Sequence, residues 1–290
     1  LHLQLVSITF SGMDKSSGLS RPSPIVIIGL GAVGRVLAGE IAHKKIAPLI
    51  LVGHGKPSGR TLAKALHAAY YSDIKELRLS GGIVWLCVPT SRIAEAAAEL
   101  AAVDLPWKRI CVFHASGSSG ADVLKRLADR GAGIAACHPY QTFPKRATGI
   151  EINGILWGLD GNSRGLRAAR TLTRRLGGVP VVIPGPQRAA YHASAVMACT
   201  FIGANLRMAI STLGELGVKP ALARQAVLAI AAETLRQVGE LGVDAALTGP
   251  ATRGDKKLVR KHVDALKKLD GDSAKVYAAI SGYIVKTRSR

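Results

Sequence analysis

The chain has 290 residues, with 39 Lys and Arg against 19 Asp and Glu and a formal net charge of +20. Hydrophobic residues make up 48 % and aromatics only 4 %. The core must therefore be built from Ala, Leu, Val and Ile, which suits helices around a parallel sheet and argues against a β-sandwich. The length holds one large or two ordinary domains, and no uninterrupted apolar run approaches the roughly 18 residues of a membrane span. Cys87, Cys111, Cys137 and Cys199 lie in apolar contexts, with neither a CxxC pair nor a disulfide spacing. They read as small core residues of a reducing, cytoplasmic compartment. The cation excess raises nucleic acid as a partner. However, Lys and Arg are spread along the chain apart from a cluster at Lys256 to Lys268 and the basic C-terminus, and no RNA-recognition aromatics, zinc finger or basic zipper accompanies them. The reading is a basic surface that attracts anionic substrates, with no specific nucleic acid and no membrane as partner.

Residues 1–22 read as a disordered lead outside the fold. LHLQLVSITF is a poor signal peptide, and the small, polar SGMDKSSGLSRPSP that follows suggests Met13 as a more natural start than Leu1. The informative stretch is SPIVIIGLGAVGRVLAGEIA, Ser23 to Ala42. An apolar run from Ile25 to Ile28 reads as a strand buried on both faces. In the turn Gly29-Leu30-Gly31-Ala32-Val33-Gly34, the first glycine bends the chain, the second admits a pyrophosphate, and the third lets helix pack on strand. The helix that opens there offers free N–H groups to phosphates. A strand before and a helix after are the context a dinucleotide fingerprint requires.

The next strand, Pro48 to Val52, refines the ligand. About 20 residues past the glycines an NAD site usually carries an acid for the ribose 2′-hydroxyl. Gly53 stands there instead, followed by His54, Lys56, Ser58 and Arg60, with no carboxylate before Asp73. A basic, hydroxyl-bearing loop suits a 2′-phosphate, so NADP(H) is favoured over NAD(H).

Further apolar runs follow at Ile83 to Val88, Ile110 to Phe113, Ile134 to Cys137, Ile155 to Leu159 and Val179 to Ile183. Helical patterns at Leu62 to Ala69, Ile93 to Ala102, Gly120 to Asp129 and Arg164 to Leu176 alternate with them. This βαβ repetition predicts an α/β fold, a doubly wound Rossmann domain over residues 23–184. From Gln187 the strand pattern stops. Ala189 to Leu216, Pro220 to Leu241 and Leu258 to Leu269 have helical periodicity, with stops at Gly217 and Gly242. An all-helical substrate and dimerisation domain is therefore expected over 185–290.

Ligands on open α/β sheets bind beyond the carboxyl ends of the strands. Three successive ends carry Val88-Pro89-Thr90-Ser91, His114-Ala115-Ser116-Gly117-Ser118 and His138-Pro139-Tyr140-Gln141, a polar rim over an apolar sheet. No metal-ligand spacing appears, so no metal is expected.

GLGAVG, CVPTSRI, HASGSSG, HPYQTFP, YHASAV and LTGPATRGD, in that order, resemble the Rossmann-like proteins with a C-terminal helical domain of unknown function. That family is similar to the larger group of 6-phosphogluconate dehydrogenase, β-hydroxyacid dehydrogenases, ketopantoate reductase and pyrroline-5-carboxylate reductase. The resemblance spans roughly residues 23 to 285. It implies that the glycine turn with Val88 and Pro89 brackets the cofactor, and that the chain forms a homodimer through its helical domain. Where β-hydroxyacid dehydrogenases carry a catalytic Lys and, a turn later, an Asn, this chain has Val196 and Thr200, and Asn205 does not restore the spacing. The polar replacements are His192, His138 and Ser116. A histidine can supply both the proton and the charge stabilisation that reduction of a carbonyl or imine needs. His114 and Gln141 in the same rim, and Arg253 beside the Gly249-Pro250 helix break, are candidates for contact with a substrate carboxylate. Two functions remain open. One is an NADP(H)-dependent oxidoreductase acting on a small oxo or imino acid, with ketopantoate reduction the first chemistry to assay. The other is a catalytically inactive NADP(H)-responsive binding protein.

Overall fold

The computed structural model describes residues 23–53, 55, 57–145 and 149–287. The expectations for residues 1–22, His54 and Lys56 lie outside them. The chain forms two compact units divided between Ala193 and Ser194, inside the long helical stretch rather than before it at 184/185.

The first unit is built on a sheet of eight strands. These are β1 (Ile25–Ile28), β2 (Leu49–Val52), β3 (Ala69–Tyr71), β4 (Gly82–Leu86), β5 (Ile110–His114), β6 (Gly133–Pro139), β7 (Leu156–Gly161) and β8 (Val179–Val182). Their order is β3-β2-β1-β4-β5-β6-β7-β8. All pairs are parallel except β6 with β7. No helix lies between those two strands among the described residues, and an antiparallel neighbour needs no crossover helix.

The pleat sends Ile25 and Ile27 to one face and Val26 and Ile28 to the other. Each set heads its own core layer. Ile25 and Ile27 join Trp85, Phe113 and Trp157 under helices α1 (Ala32–His43) and α5 (Ser163–Arg175). Val26 and Ile28 join Leu86 and Val112 under α3 (Ile93–Ala101). Two short helices, α2 (Pro57–Ala65) and α4 (Lys125–Asp129), complete this unit's crossovers.

Two boundaries differ from the sequence reading. The helix expected over Leu62 to Ala69 is α2, which starts at Pro57, a residue preorganised for the first helical position. It is followed by His67 at φ 50°, and the chain then makes β3, three partly exposed residues too short to leave a pattern. The helix expected over Gly120 to Asp129 divides into a 3₁₀ turn, Ala121–Leu124, and α4.

The long helical stretch comprises α6 (Arg188–Val196), a π-helical turn Met197–Phe201 and α7 (Ile202–Glu215). The second unit continues with α8 (Pro220–Leu241), α9 (Val243–Ala246), α10 (Pro250–Arg253), α11 (Lys256–Leu269) and α12 (Gly271–Thr287). The sequence reading omitted α12. Gly185–Glu215 has a mean hydropathy of 1.4 over its most apolar 18-residue window, no residue of that window is buried, and by length and composition alone the helix is long enough to cross a membrane. Interspersed polar residues such as Arg188 and Asn205 conceal this from a search for uninterrupted apolar runs. Cys199 also lies here and is exposed, unlike the buried Cys87 and Cys137.

Candidate functional site

The strand order reverses at β1, whose neighbours are β2 and β4. At its carboxyl end the three glycines are needed for three different reasons. Gly29 turns at φ +95°, and a Cβ there would stand 2.9 Å from the Cys87 carbonyl carbon and oxygen and 3.0 Å from Val88. Gly31 begins α1 with nothing within 4 Å of a Cβ, leaving its backbone open. A Cβ on Gly34 would lie 2.0 Å from the Gly29 oxygen. Turn, open approach and close packing fall in the order that a pyrophosphate cradle needs. Ala32 and Val33 form the first helical residues behind it.

At the end of β2, a Cβ on Gly53 or Gly59 would meet Leu30 and Tyr70. The Tyr70 hydroxyl donates to the Gly53 oxygen at 3.1 Å. The Arg60 guanidinium lies 5.8 Å from the Tyr70 ring centroid, a cation–π distance. A cavity of about 400 Å³ opens alongside, lined by Gly29, Val52, Gly53, Asp73 and Arg92. Asp73 uses its carboxylate to cap the Lys75 amide at 2.9 Å.

Strand ends β4, β5 and β6 bring the second group together. The Thr90 hydroxyl donates to Ser116 Oγ at 3.2 Å, and Ser116 Oγ also lies 3.3 Å from Ser119 Oγ and accepts from the Ser119 amide at 3.2 Å. Thr90 opens a 3₁₀ turn, Thr90–Arg92, that Pro89 caps. His114 is fully buried. Its Nδ1 accepts from the Ser116 amide at 3.2 Å, so its Nε2 donates to the Gly120 carbonyl at 2.9 Å. Burial pushes this imidazole down to about 4. With both nitrogens held by backbone it shapes the 114–120 loop and has none left for the substrate contact expected of it.

His138 is half-buried, with Nδ1 at 2.8 Å from the Tyr191 hydroxyl. Burial first, and then the charge of Arg188, push His138 down to about 3, while burial pushes the Tyr191 phenol up to about 12. At neutral pH the pair is thus an uncharged imidazole against an uncharged phenol. His192 stacks edge-on to His138 with ring centroids 5.8 Å apart. Gly117 fits between them. A Cβ there would lie 2.4 Å from His192 Cδ2 and 2.9 Å from His138 Nε2.

Arg188 and Tyr191 were missed by the sequence reading. Arg188 is fully buried. It donates to the Ser116 carbonyl at 2.7 Å and the Gly158 carbonyl at 3.3 Å, and its Nε has no partner. It thereby ties the start of α6 to the loop after β5 and to the interior of β7. The signal was present: Arg188, Tyr191 and His192 stand at i, i+3 and i+4, one face of a helix. Gln141 spends its amide locally, donating to the Glu151 carbonyl at 3.2 Å and accepting from the Thr142 amide at 2.8 Å. Arg253 closes α10 in the second unit and is exposed. Among the described residues no cluster of three or more His, Cys, Asp or Glu could hold a metal ion.

Residues 10–139 match the Rossmann-like domain family, and residues 155–284 match a family described as a domain of unknown function, DUF2520. The resemblance carried by the six motifs therefore holds for both parts of the chain. No curated protein sequence matches it. Among solved structures, one similar protein is assigned as an NADP oxidoreductase from Bacteroides fragilis. It has a TM-score of 0.73 and 22 % identity, over 91 % of this chain and 98 % of that one. Another is protein TM1727 from Thermotoga maritima, at a TM-score of 0.71 and 22 % identity over 92 % and 100 %. The NADP-bound pyrroline carboxylate reductase of Plasmodium falciparum superposes at 0.57 with 14 % identity over 91 % and 98 %. At these identities the likeness is one of fold.

Proposed function

We propose that this Rossmann-like protein with a C-terminal domain of unknown function is an NADP(H)-dependent oxidoreductase acting on a small oxo or imino acid. The observation that carries the reading is a continuous row of strand ends. The glycine cradle abuts Cys87 and Val88, the same loop reaches Ser116 through Thr90, and the Ser116–Gly117 segment leads to His138, Tyr191 and His192. NADP is bound by the Plasmodium relative of the same fold, and Gly29, Gly31 and Gly34 fit such a group. Arg60, with His54 and Lys56, is the candidate for its 2′-phosphate. When bound, NADPH supplies the hydride.

The chain's own residues handle binding and the proton. His192, half-exposed at the edge of the cluster, donates the proton to the developing alkoxide or amine. His138 stays uncharged against Tyr191 and serves as a neutral hydrogen-bonding group toward the substrate. Ser116 and its neighbouring hydroxyls hold the substrate's polar end. Arg188 is buried without a carboxylate hydrogen bond, though within electrostatic reach of Asp160, and its positive charge favours a carboxylate substrate. Ketopantoate is the first compound to assay. The test is a fluorescence titration with NADPH followed by a screen of oxo and imino acids. Tight NADPH binding with turnover of one acid supports the reading. Tight binding with no turnover of any favours the inactive, nucleotide-responsive alternative, which the Val196 and Thr200 departures support.

The helical domain is the proposed homodimer interface. A groove of about 800 Å³ in the second unit is lined by Met208, Leu213, Leu266, Tyr277 and Ile280, and large apolar residues on α8 and α12 face solvent. A second copy covers these surfaces symmetrically.

A further inference from the structure

We propose that the outer face of α5, with the loops at its two ends, binds the phosphodiester backbone of nucleic acid without reading its bases. α5 has the sequence SRGLRAARTLTRR, five arginines and no carboxylate. Gly165, Ala169, Leu172 and Thr173 form its buried side, and Arg167, Arg170 and Arg174 are exposed on the other. The remaining two arginines hold the fold. Arg164 donates to the carbonyls of Trp107, Ile110 and Gly131 at 3.0, 2.8 and 2.7 Å and to that of Lys108, and Arg175 donates to the Ile46 carbonyl at 2.6 Å.

Those bonds bring further cations to the helix. Lys108, Arg109 and Arg130 flank its start. At its other end Lys44 donates to the Leu176 carbonyl at 2.6 Å, with Lys45 beside it. Cations scattered in sequence thus converge on one surface. On the flanking elements Glu40 and Asp129 are already engaged by Lys44 and Lys125, which leaves Asp104 and, on the loop that meets Gly177 past the end of α5, Glu151. Arg174 in the last turn is favoured by the helix dipole. Arg167 and Arg170 have no such compensation and repel each other at i, i+3, so an external anion relieves them.

The shape of the row selects the ligand. Thirteen residues make a helix about 20 Å long, which matches several successive phosphates rather than one. Guanidinium groups suit phosphate oxygens through paired donors. A membrane surface fits poorly, because an interfacial helix carries Trp, Phe or Leu beside its cations, and the exposed positions of α5 are only Arg, Thr and Ser. A recess of about 410 Å³ beside the helix is rimmed by Arg164, Arg167 and Arg175 over Ile25, Ile46 and Ile83. It lies where β1 and β4 begin, at the opposite end of the strands from the glycine turn, so this surface is separate from the proposed cofactor site.

The experiment measures binding of a fluorescein-labelled 20-base-pair duplex to the full chain by anisotropy between 50 and 200 mM salt. Arg167→Gln/Arg170→Gln/Arg174→Gln should weaken binding at least about tenfold and lower the slope of log K against log salt by about 2.7, roughly 0.9 for each lost phosphate contact. Lys256→Gln/Lys257→Gln/Lys261→Gln removes the same charge from α11 and should change neither. Circular dichroism checks that each variant is folded. If the triple variant is not, Arg170→Gln alone decides, with an expected slope change of about 0.9. Equal losses in the two triple variants would mean that net charge alone attracts the duplex. That result overturns the proposal, as does failure of the wild type to bind at 50 mM salt, or α5-dependent binding of phosphatidylserine vesicles without binding of the duplex.

Discussion

The two units hide their apolar residues in different ways. In the sheet unit, Trp85, Phe113 and Trp157 are fully buried, with Trp85 5.8 Å from each of the other two rings. In the helical unit the buried side chains are Ala223, Val227, Ala246, Ala251, Ser273, Ala274 and Ser281, none larger than valine. Of the 18 large hydrophobics that are exposed among the described residues, 14 belong to the helical unit. A parallel sheet is covered on both faces by its own crossover helices. A helix pair has no such built-in cover, and α8 presents Leu222, Leu228, Ile230, Leu235 and Leu241 to solvent. The first unit has a complete core within one chain. The second has a surface that association would complete, which is why the homodimer is proposed there.

The largest expected effect breaks that contrast directly. Ile230 is 69 % exposed on α8. In a symmetric dimer Ile230→Asp changes the interface twice, at about 2 kcal/mol or more for each lost apolar side chain. Association should weaken by roughly 10³-fold, seen by light scattering across a dilution series. A variant that stays dimeric at nanomolar concentration would place the interface elsewhere.

The second effect lies in the sheet unit. His192→Ala should lower turnover about 10²-fold, the low end for a general acid, with NADPH affinity nearly unchanged. Gly117→Ala tests the same ring from the other side, since its new Cβ would land 2.4 Å from His192 Cδ2. It should lower turnover about tenfold by displacing the ring from productive geometry. Full activity in His192→Ala would remove the histidine mechanism.

What could be read from the sequence follows the same division. The glycine turn was legible because each glycine answers a local steric demand, and local demands leave fixed spacings. The strand-end rim was legible because apolar runs mark where strands stop. The role of His114 was not, since its two ring nitrogens are claimed by backbone groups that only the closed loop brings near. Arg188 escaped for a related reason. A buried guanidinium held by the Ser116 and Gly158 carbonyls pairs residues far apart in the chain, and nothing in the local sequence separates it from a surface arginine. The exposed apolar helices were legible in pattern but not in burial, because periodicity reports a face without saying what covers it.

The third prediction concerns stability of the sheet unit alone. His114 and His138 are pushed down, mainly by burial, to about 4 and about 3. Between pH 6.5 and 4 the unfolded chain binds protons at these positions and the native state does not, so stability rises with pH across that window and is lost as pH falls through it. Each histidine changes the folding equilibrium by up to about tenfold per pH unit. All three tryptophans, Trp85, Trp107 and Trp157, belong to this unit, so their fluorescence in urea reports it selectively. The midpoint should be lower at pH 5 than at pH 7, with a smaller difference in His138→Asn. Equal midpoints in the wild type would show that these imidazoles are not held neutral.

The smallest effect falls on the cofactor loop. Arg60 is exposed, with the Tyr70 ring at 5.8 Å from its guanidinium, so the contact proposed with a 2′-phosphate would be partly screened by solvent. A charge-assisted bond in that setting contributes modestly, and Arg60→Ala should reduce the NADPH over NADH preference by about fivefold rather than abolish it. Tyr70→Phe keeps the ring under the guanidinium and removes the hydroxyl that donates to the Gly53 carbonyl at 3.1 Å. It should therefore shift both cofactors' affinities together and leave their ratio unchanged. Fluorescence titrations of the wild type and the two variants with NADPH and NADH separate these outcomes. Equal wild-type affinities for the two cofactors would remove the phosphate reading of the loop, and a changed ratio in Tyr70→Phe would show that the hydroxyl, and not only the guanidinium, takes part in the discrimination.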